Sequence, residues 1–401
     1  MFSQTNHAGL EVLLMELDPV HIACVEGHRE MVRFILTEVA PWSVMARDKQ
    51  GGATALHTAA RFGRVEIARD LLGYGALVRS QDRDDCTPLH IACEHDNEDL
   101  VRMFLGAGAG VDELDMNGCT PLFTSVRAGG SPAVLKLLLR RGAAVDAAPN
   151  GEPTSLALAS GMGCLDAVRL LASAGADLLV AAENLGGETA LHLAAKNGSE
   201  NVLCFLLAAG CWPETRDADG RAPLASACAG GRTGTATVLL TGQGWGLEHM
   251  PEGLPPDLRH LVLSFLAAAP DTPDTNGNTA LLSACEHRGT PAVLDILAAH
   301  GADFARTNEG GETALHVACR RGNAILAQYL LARDTLGMSA ALGARGVSTT
   351  VLESAVDAQD TRGRRPGEVR DIDVSHDEAL AVTEVIRRRG VDGGGLGTNS
   401  S

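Results

Sequence analysis

One six-residue pattern recurs along the chain and constrains its fold more than any other feature. Its fullest copy is Thr87-Pro88-Leu89-His90-Ile91-Ala92. The Thr87 hydroxyl can cap a helix start, and Pro88 fits the first helical turn, where its missing N–H costs no hydrogen bond. Acidic residues at 96–99 then precede apolar residues at one-turn spacing, which Gly108 can end in a left-handed cap. The pattern predicts a helix, a turn and a second helix.

The same unit returns at nearly constant spacing. Positions equivalent to Thr87 lie at Asp18, Thr54, Thr120, Thr154, Thr189, Ala222, Thr279, Thr313 and, in degraded form, Arg365. The steps between successive positions are 36, 33, 33, 34, 35, 33, 57, 34 and 52 residues. Stacked units that bury side chains only against their neighbours can reach 401 residues with 3% aromatic content, because no deep core is needed.

A period of 33 residues with Thr-Pro-Leu-His-x-Ala is typical of ankyrin repeats. The chain resembles that family over 18–334, most closely at 54–59, 87–92, 189–194 and 313–318. The resemblance implies an all-α ankyrin-repeat solenoid of stacked helix-turn-helix units with short β-hairpin-like tips. It also implies that the recurring histidines hydrogen-bond to backbone in the adjoining turn and have a structural role.

Breaks in the repeat pattern divide the chain into segments. We predict an N-terminal flank at 1–17, ankyrin repeats 1–6 at 18–240, a Gly/Pro-rich insertion with a helix at 241–273, ankyrin repeats 7–8 at 274–334, a linker at 335–359, a degenerate capping repeat at 360–390 and a disordered tail at 391–401.

The insertion leaves two interpretations of the repeat that it interrupts. Either residues 258–268 form the second helix of that repeat, or residues 235–240 form it and the insertion adds a further helix. We favour the first, because residues 233–237 are Thr and Gly rich, and these are weak helix formers.

Five of the ten cysteines share one position in the repeat, six residues after its reference position. They are Cys24, Cys93, Cys228, Cys285 and Cys319. Small residues such as Ala60 and Ala195 fill the same position elsewhere, so the position selects a small apolar group between closely packed helices. We therefore predict buried, free thiols and a reducing compartment.

The charge balance limits the classes of partner. With 50 acidic and 33 basic residues the formal net charge is −17, which opposes nonspecific nucleic-acid binding and favours a basic or mixed-charge protein partner. The N-terminal stretch lacks the features of a signal peptide, and no apolar run approaches bilayer-spanning length. We expect no membrane insertion and a cytoplasmic location, with the nucleus as the alternative; the sequence indicates no oligomeric state.

The densest Cys/His cluster is Cys86, His90, Cys93 and His95. Zinc needs four converging ligands, but His90 and Cys93 occupy positions that recur across the repeats, and His95 should lie on the other side of the helix. Glycine-rich stretches at 106–110 and 242–246 lack the context or the lysine of a phosphate-binding loop. We predict no metal, no cofactor, no catalytic residue and no enzymatic activity.

These observations favour a non-enzymatic scaffold that binds a partner protein on a concave surface. In the family that the chain resembles, hairpin tips and exposed first-helix ends make such contacts. The tip candidates are Arg83, Asp84, Met116, Asn117, Asp219 and Asn276. The helix-end candidates are Arg61, Phe62, Glu94, His95, Arg127, Lys196, Asn197, Glu286, His287, Arg320 and Arg321. Phe62 is the strongest anchor, since an apolar ring at an exposed position can be a hot spot; the alternative is that it packs on the neighbouring repeat.

The alternative function is a substrate-recruiting adaptor of a ubiquitin ligase or another enzyme complex. Residues 254–261 faintly resemble part of a helical recruitment box, although they lie in the middle of the chain. An enzyme site within the insertion is a third class, but so short a segment cannot build a site without the repeats.

Overall fold

The computed structural model describes residues 18–49, 51–149, 151–242 and 268–336. These residues belong to two compact units: the first ends at Asn184 and the second begins at Leu185, except that residues 160–163 group with the second. The flank at 1–17, the insertion residues 243–267 and everything from 337 onward lie outside the described residues. The predicted N-terminal flank, insertion helix, linker, capping repeat and tail therefore stay predictions, as does the recruitment box at 254–261.

Eighteen α-helices form nine pairs among the described residues. The first helices of the pairs are α1 (Pro19–Glu26), α3 (Ala55–Arg61), α5 (Pro88–Glu94), α7 (Pro121–Arg127), α9 (Ser155–Met162), α11 (Ala190–Asn197), α13 (Pro223–Ala229), α15 (Ala280–Glu286) and α17 (Ala314–Arg320). The second helices are α2 (Arg29–Phe34), α4 (Val65–Gly73), α6 (Glu98–Gly106), α8 (Pro132–Arg140), α10 (Leu165–Ser173), α12 (Glu200–Ala208), α14 (Thr233–Thr241), α16 (Pro291–Ala299) and α18 (Ala324–Leu336).

The number of pairs differs from the predicted number of repeats. Seven pairs, α1–α2 to α13–α14, lie in the stretch to which six repeats were assigned. The prediction counted six repeats at 18–240, although seven of the equivalent positions, from Asp18 to Ala222, lie within these bounds, and the structure has a helix pair at each of the seven. Two further pairs lie between Ala280 and Leu336, in agreement with two repeats at 274–334.

Within each unit, first helices pack on first helices and second helices on second helices. The repeated position six residues after the cap lies in this contact: Cys24, Cys93, Cys228 and Cys285 are fully buried and Cys319 is 7% exposed. All ten cysteines are free. Burial raises the pKa of the Cys24 thiol to about 12, so this thiol packs as a small neutral group. The prediction of buried, unpaired core thiols is confirmed.

A buried imidazole joins each of several repeats to the next. Nδ1 of His57 accepts the Thr54 backbone N–H at 3.1 Å and lies 2.8 Å from Thr54 Oγ1. Because the backbone N–H can only donate, Nε2 carries the proton and donates to the Cys86 carbonyl of the following repeat at 3.0 Å. His21, His90 and His192 reach the carbonyls of Ala53, Cys119 and Arg221 in the same way, at 3.0–3.1 Å. The structural role implied for the histidines is confirmed.

Aspartate-led turns form the tips between helix pairs. Asp115 Oδ1, for example, accepts the backbone N–H groups of Asn117 and Cys119 at 2.9 and 2.8 Å. Backbone hydrogen bonds then join successive tips, as from Met116 N–H to Asp84 O at 2.9 Å. The tips are turns. The described residues include an isolated bridge between Arg47 and Thr54, and they form no strand longer than a single bridge.

The position of helix α14 contradicts the preferred interpretation, in which residues 258–268 form the second helix of the interrupted repeat. Residues 233–241 are helical, and Ala236, Leu239 and Leu240 are buried where α14 packs on α12 and α16. The weak helix formers are helical here because this burial outweighs their local propensity; the hydroxyls of Thr237 and Thr241 donate to carbonyls four residues earlier, at 2.9 and 2.7 Å. The second helix of this repeat therefore precedes the insertion, and the split-repeat interpretation was wrong.

The chain returns to the repeat pattern at Ala268. Its N–H donates to Leu239 O at 2.9 Å, the same bond that Ala76 makes to Leu71 and Ala109 to Phe104. Four residues separate donor and acceptor in the regular repeats, whereas twenty-eight do so here. The extra 24 residues thus enter after α14, between the end of a complete helix pair and the next tip.

We predict that replacing residues 243–267 with a single glycine leaves the fold intact. This change restores the regular spacing between Leu239 and Ala268, so the far-UV circular dichroism of the stacked helices should persist. The free energy of unfolding in urea should change by no more than about 2 kcal/mol, because each doubling of loop length costs only about 0.6 kcal/mol. A loss of several kcal/mol would show that the excised residues complete the packing of this repeat.

We also predict that acid weakens the fold between pH 6.5 and about 4. Burial lowers the pKa of His57 to about 4, whereas the unfolded chain should titrate near ~6.5. The unfolded state then binds more protons in this range, so stability is complete above pH 6.5 and declines as the pH falls. Urea unfolding at pH 7.5 and 5.0 measures the decline. His57→Gln should be less stable at pH 7.5 but show a shallower pH dependence; equal slopes for both proteins would contradict the prediction.

Candidate functional site

The first unit presents its predicted contact residues on an open surface. All of them are exposed, at the ends of α3, α5 and α7 or on the tips beside these helices. They are Arg61, Phe62, Glu94, His95 and Arg127 at helix ends, and Arg83, Asp84, Met116 and Asn117 at tips. Phe62 and Met116 expose 41% and 59% of their surface, so the ring of Phe62 is not enclosed by a neighbouring repeat.

A groove of about 540 Å³ opens in the second unit along the ends of α11, α13 and α15. Its cause is a change of side-chain size at one register position. The middle helix ends in Ala229-Gly230, where the helices on either side end in Lys196-Asn197 and Glu286-His287. A Cβ added at Gly230 would collide with the carbonyl oxygen of Lys196, so only glycine allows this close approach of the two turns.

Six predicted contact residues meet in this groove. Lys196, Asn197, Glu286 and His287 line its helix-end walls, and Asp219 and Asn276 line it from the tips. The tips are held in place by backbone bonds, because Thr275 N–H donates to Asp219 O and Glu309 N–H donates to Asn276 O, both at 2.9 Å. The structure therefore gathers predicted tip and helix-end residues into one concavity of the second unit.

The carboxylates that line the groove already have partners. Glu188 accepts Lys196 Nζ at 2.9 Å, and Asp219 lies 2.6 Å from Arg221 Nη2. Asp274 accepts the backbone N–H groups of Asn276 and Asn278 at 2.8 and 2.7 Å. These contacts neutralise or solvate the acidic groups, so the acidic character of the whole chain does not carry over to the groove.

Two arginines that line the groove differ from its carboxylates in having no ion-pair partner among the described residues. Arg232 and Arg288 line it from the turns that follow α13 and α15, and both are exposed. Arg232 Nε donates to the neutral carbonyl of Lys196 at 3.3 Å. Neither guanidinium forms an ion pair with any described residue, in contrast to Lys196 and Arg221.

The floor of the groove adds two hydroxyls that sequence reasoning missed. Ser226 and Ser283 occupy the same register position in α13 and α15 and are only 5% and 3% exposed. Their hydroxyls make no hydrogen bond within the described part of the chain, although both residues line the cavity. Comparison of side-chain sizes between repeats at fixed register, with Ala229-Gly230 as the signal, would have located the groove from the sequence.

Arg320 and Arg321 lie outside the groove, in an ion-pair network one repeat further on. Arg320 Nη2 donates to Glu312 Oε2 at 3.3 Å, and Arg321 Nη2 donates to Glu286 Oε1 at 2.7 Å. Burial alone would raise the pKa of Glu286, but the Arg321 hydrogen bond and the nearby positive charges hold that pKa below its usual value. Arg320, with 19% of its side chain exposed, therefore also joins α17 to its own tip.

The Cys/His cluster at 86–95 does not converge on one point, because its side chains pack and hydrogen-bond within the repeats. Both ring nitrogens of His90 are engaged, with Thr87 and with the Cys119 carbonyl, while Cys93 is fully buried and His95 is exposed. Among the residues that the structure describes, no group of three or more Cys, His, Asp or Glu could hold a metal ion. No helix in those ranges is both long and apolar enough to cross a membrane.

Comparison with known proteins agrees with this architecture. A family model described as ankyrin repeats in three copies matches residues 4–82, 20–115, 71–149, 89–182, 156–248 and 256–339. The chain belongs to the ankyrin-repeat family. As an ankyrin-repeat protein it has the all-α fold of stacked helix pairs that the resemblance implied.

Two individual proteins show the extent of the similarity. A Caenorhabditis elegans homolog of transient receptor potential cation channel subfamily A member 1 is 27% identical over 209 residues, which are 52% of this chain and 15% of the channel protein. The chain thus matches a small part of that relative. The ankyrin-repeat domain of Bcl-3, a member of the IkappaB family, is 27% identical, with a TM-score of 0.47 over 52% of this chain and 92% of that domain.

We predict that the two charge reversals Arg61→Glu and Arg320→Glu have different effects on stability. Arg61 is exposed and forms no ion pair with described residues, so its reversal should cost less than ~1 kcal/mol. Arg320→Glu places a carboxylate beside Glu312 and near Glu286 and should cost roughly 1–3 kcal/mol. Urea unfolding of both variants measures the difference, and equal losses would show that the Glu312–Arg320 contact contributes nothing.

Proposed function

We propose that this ankyrin-repeat protein is a non-enzymatic scaffold that binds another protein in the groove between α11, α13 and α15. Ankyrin repeats are generally protein-interaction modules, and the groove lies on the tip and first-helix side of the second unit, where partner contacts were expected. The observation that carries the proposal is the gap at Ala229-Gly230, which opens a cavity of about 540 Å³ between polar walls. A cavity of this size can enclose a few residues of a partner.

The surrounding structure supports a recognition role. The walls are held rigidly by the Glu188–Lys196 and Arg221–Asp219 ion pairs and by the hydrogen bonds between tips. Pre-organised walls lower the entropic cost of binding, because few side chains must be ordered when the partner arrives. The exposed residues of the first unit, with Phe62 and Met116 among them, would provide further contacts to the same partner or to a second one.

The expected partner is a protein of basic or mixed charge, since the net charge of −17 favours attraction of basic surfaces. Buried, unpaired cysteines support a location in a reducing compartment, which we propose to be the cytoplasm. The adaptor role for an enzyme complex depends on residues 254–261 and stays the alternative.

We predict that Ala229→Gln blocks partner binding without unfolding the protein. Lys196 and Glu286 occupy the same register position in the adjacent helices, so a long polar side chain fits there and would fill the groove. Ala299→Gln, at the exposed end of α16, is the matched control. Quantitative mass spectrometry of affinity captures from the source cell should show at least a tenfold loss of specific proteins for Ala229→Gln alone.

Photo-crosslinking identifies which captured proteins occupy the groove. A photoreactive residue at Asn276, on the groove wall, should crosslink the proteins that Ala229→Gln loses, whereas the same residue at Ala299 should not. Identical captures by the two glutamine variants, with no crosslink from Asn276, would place partner binding elsewhere on the molecule.

A further inference from the structure

Two cationic side chains that line the groove differ from the others in their pairing with the described residues. Each lining carboxylate is engaged: Glu188 with Lys196, Asp219 with Arg221, Glu286 with Arg321, and Asp274 with backbone N–H groups. Arg232 and Arg288 have no carboxylate partner among the described residues. The groove is thus lined by four carboxylates and four cationic side chains within a protein of net charge −17, and Arg232 and Arg288 are the two of these cations that no described carboxylate engages.

These two guanidiniums come from adjoining turns. Arg288 N–H donates to Ala229 O at 3.0 Å, and a Cβ built on Gly231 would lie 2.6 Å from Arg288 O. The turns after α13 and α15 are therefore in direct backbone contact, and their arginines line the same cavity. A planar guanidinium presents paired N–H donors that match the two oxygens of a carboxylate.

The floor beside these arginines carries further hydrogen-bonding capacity. Ser226 and Ser283 are at least nine-tenths buried, face the cavity and have no hydrogen-bond partner in the described part of the chain. Each hydroxyl can therefore hydrogen-bond an incoming carboxylate or backbone group. The guanidiniums indicate an acidic group, and the hydroxyls add hydrogen-bonding capacity for that group or for the adjacent peptide.

We propose that the groove binds an acidic peptide segment of the partner, with an Asp or Glu carboxylate at Arg232 and Arg288 and the adjacent peptide over Ser226 and Ser283. This inference depends on the proposed function, because it assigns the chemistry of the partner segment in the groove. It predicts a partner that presents an acidic segment even though the whole chain attracts basic surfaces. Specificity then comes from the local pairing, while the long-range field slows the approach of uniformly acidic proteins.

The test uses the full-length protein and a random dodecamer peptide library displayed on phage. Selected peptides should be enriched in Asp and Glu, and their synthetic, fluorescein-labelled forms should bind with an affinity that falls as salt rises. Arg232→Glu/Arg288→Glu should weaken this binding at least tenfold, and Arg232→Gln/Arg288→Gln should weaken it less. Circular dichroism checks that each variant is folded.

The matched control is Lys136→Glu/Arg306→Glu. Both residues are exposed, lie outside the groove and form no ion pair with described residues, and the double reversal changes the net charge by the same −4 as the double reversal of Arg232 and Arg288. The control should bind the selected peptides within about twofold of the unmodified protein. A parallel loss in both double variants would mean that overall charge, and not the groove, attracts the peptides.

The outcomes separate this inference from the proposed function. The selected peptides could lack acidic enrichment, lose binding to Ala229→Gln and still bind the double reversal of Arg232 and Arg288. That result would overturn the proposal of an acidic segment while supporting the groove as the binding site. Peptides that bind Ala229→Gln as tightly as the unmodified protein would overturn the groove itself. Preference for a phosphorylated version of a selected peptide over its glutamate version would overturn the carboxylate as the recognised group.

Discussion

The fold depends on a buried imidazole that serves two repeats at once. At His57, His90 and His192, Nδ1 of the histidine closes the cap of its own helix while Nε2 donates to the carbonyl of the residue before the next cap, as His57 does with Thr54 and Cys86. One side chain therefore sets both where a helix starts and where the next repeat stacks. Because this contact spans neighbouring repeats only, the frame can tolerate variation elsewhere in the chain, including 24 extra residues after α14.

The local nature of that contact explains why most of the fold could be predicted from the sequence. The threonine cap, the proline of the first turn, the histidine and the small residue at the Cys24 and Cys93 position all act within one repeat or against its neighbour. What failed was a decision that depends on tertiary packing. Helix α14 has weak local propensity, and its burial against α12 and α16 decides its structure.

The candidate site was predictable only in part, for a related reason. The sequence indicates which register positions project from tips and helix ends, and six of those residues do line the groove. The groove itself exists because Ala229 and Gly230 project almost nothing between Lys196 and Glu286. A search of the sequence for chemically distinctive side chains does not detect such a gap, because the residues that cause it are small. Whether an exposed arginine has an ion-pair partner, as Arg321 has and Arg288 lacks among the described residues, depends in turn on three-dimensional distances that spacing along the chain does not give.

The groove also coincides with a change in how the repeats are joined. Ala225 and Leu282 stand where five other repeats have the histidine, so neither α13 nor α15 has the imidazole contact to its successor; Phe123 and Ala157 replace the histidine in the first unit. Backbone bonds between turns and tips join these repeats, among them Arg288 N–H to Ala229 O and Glu309 N–H to Asn276 O. Loss of the buried ring leaves small side chains on the floor of the groove, and the insertion enters between the same two repeats. In the second unit, the loss of two imidazole contacts, the insertion and the groove therefore occur together, and backbone bonds between turns and tips replace the buried ring as the link between repeats.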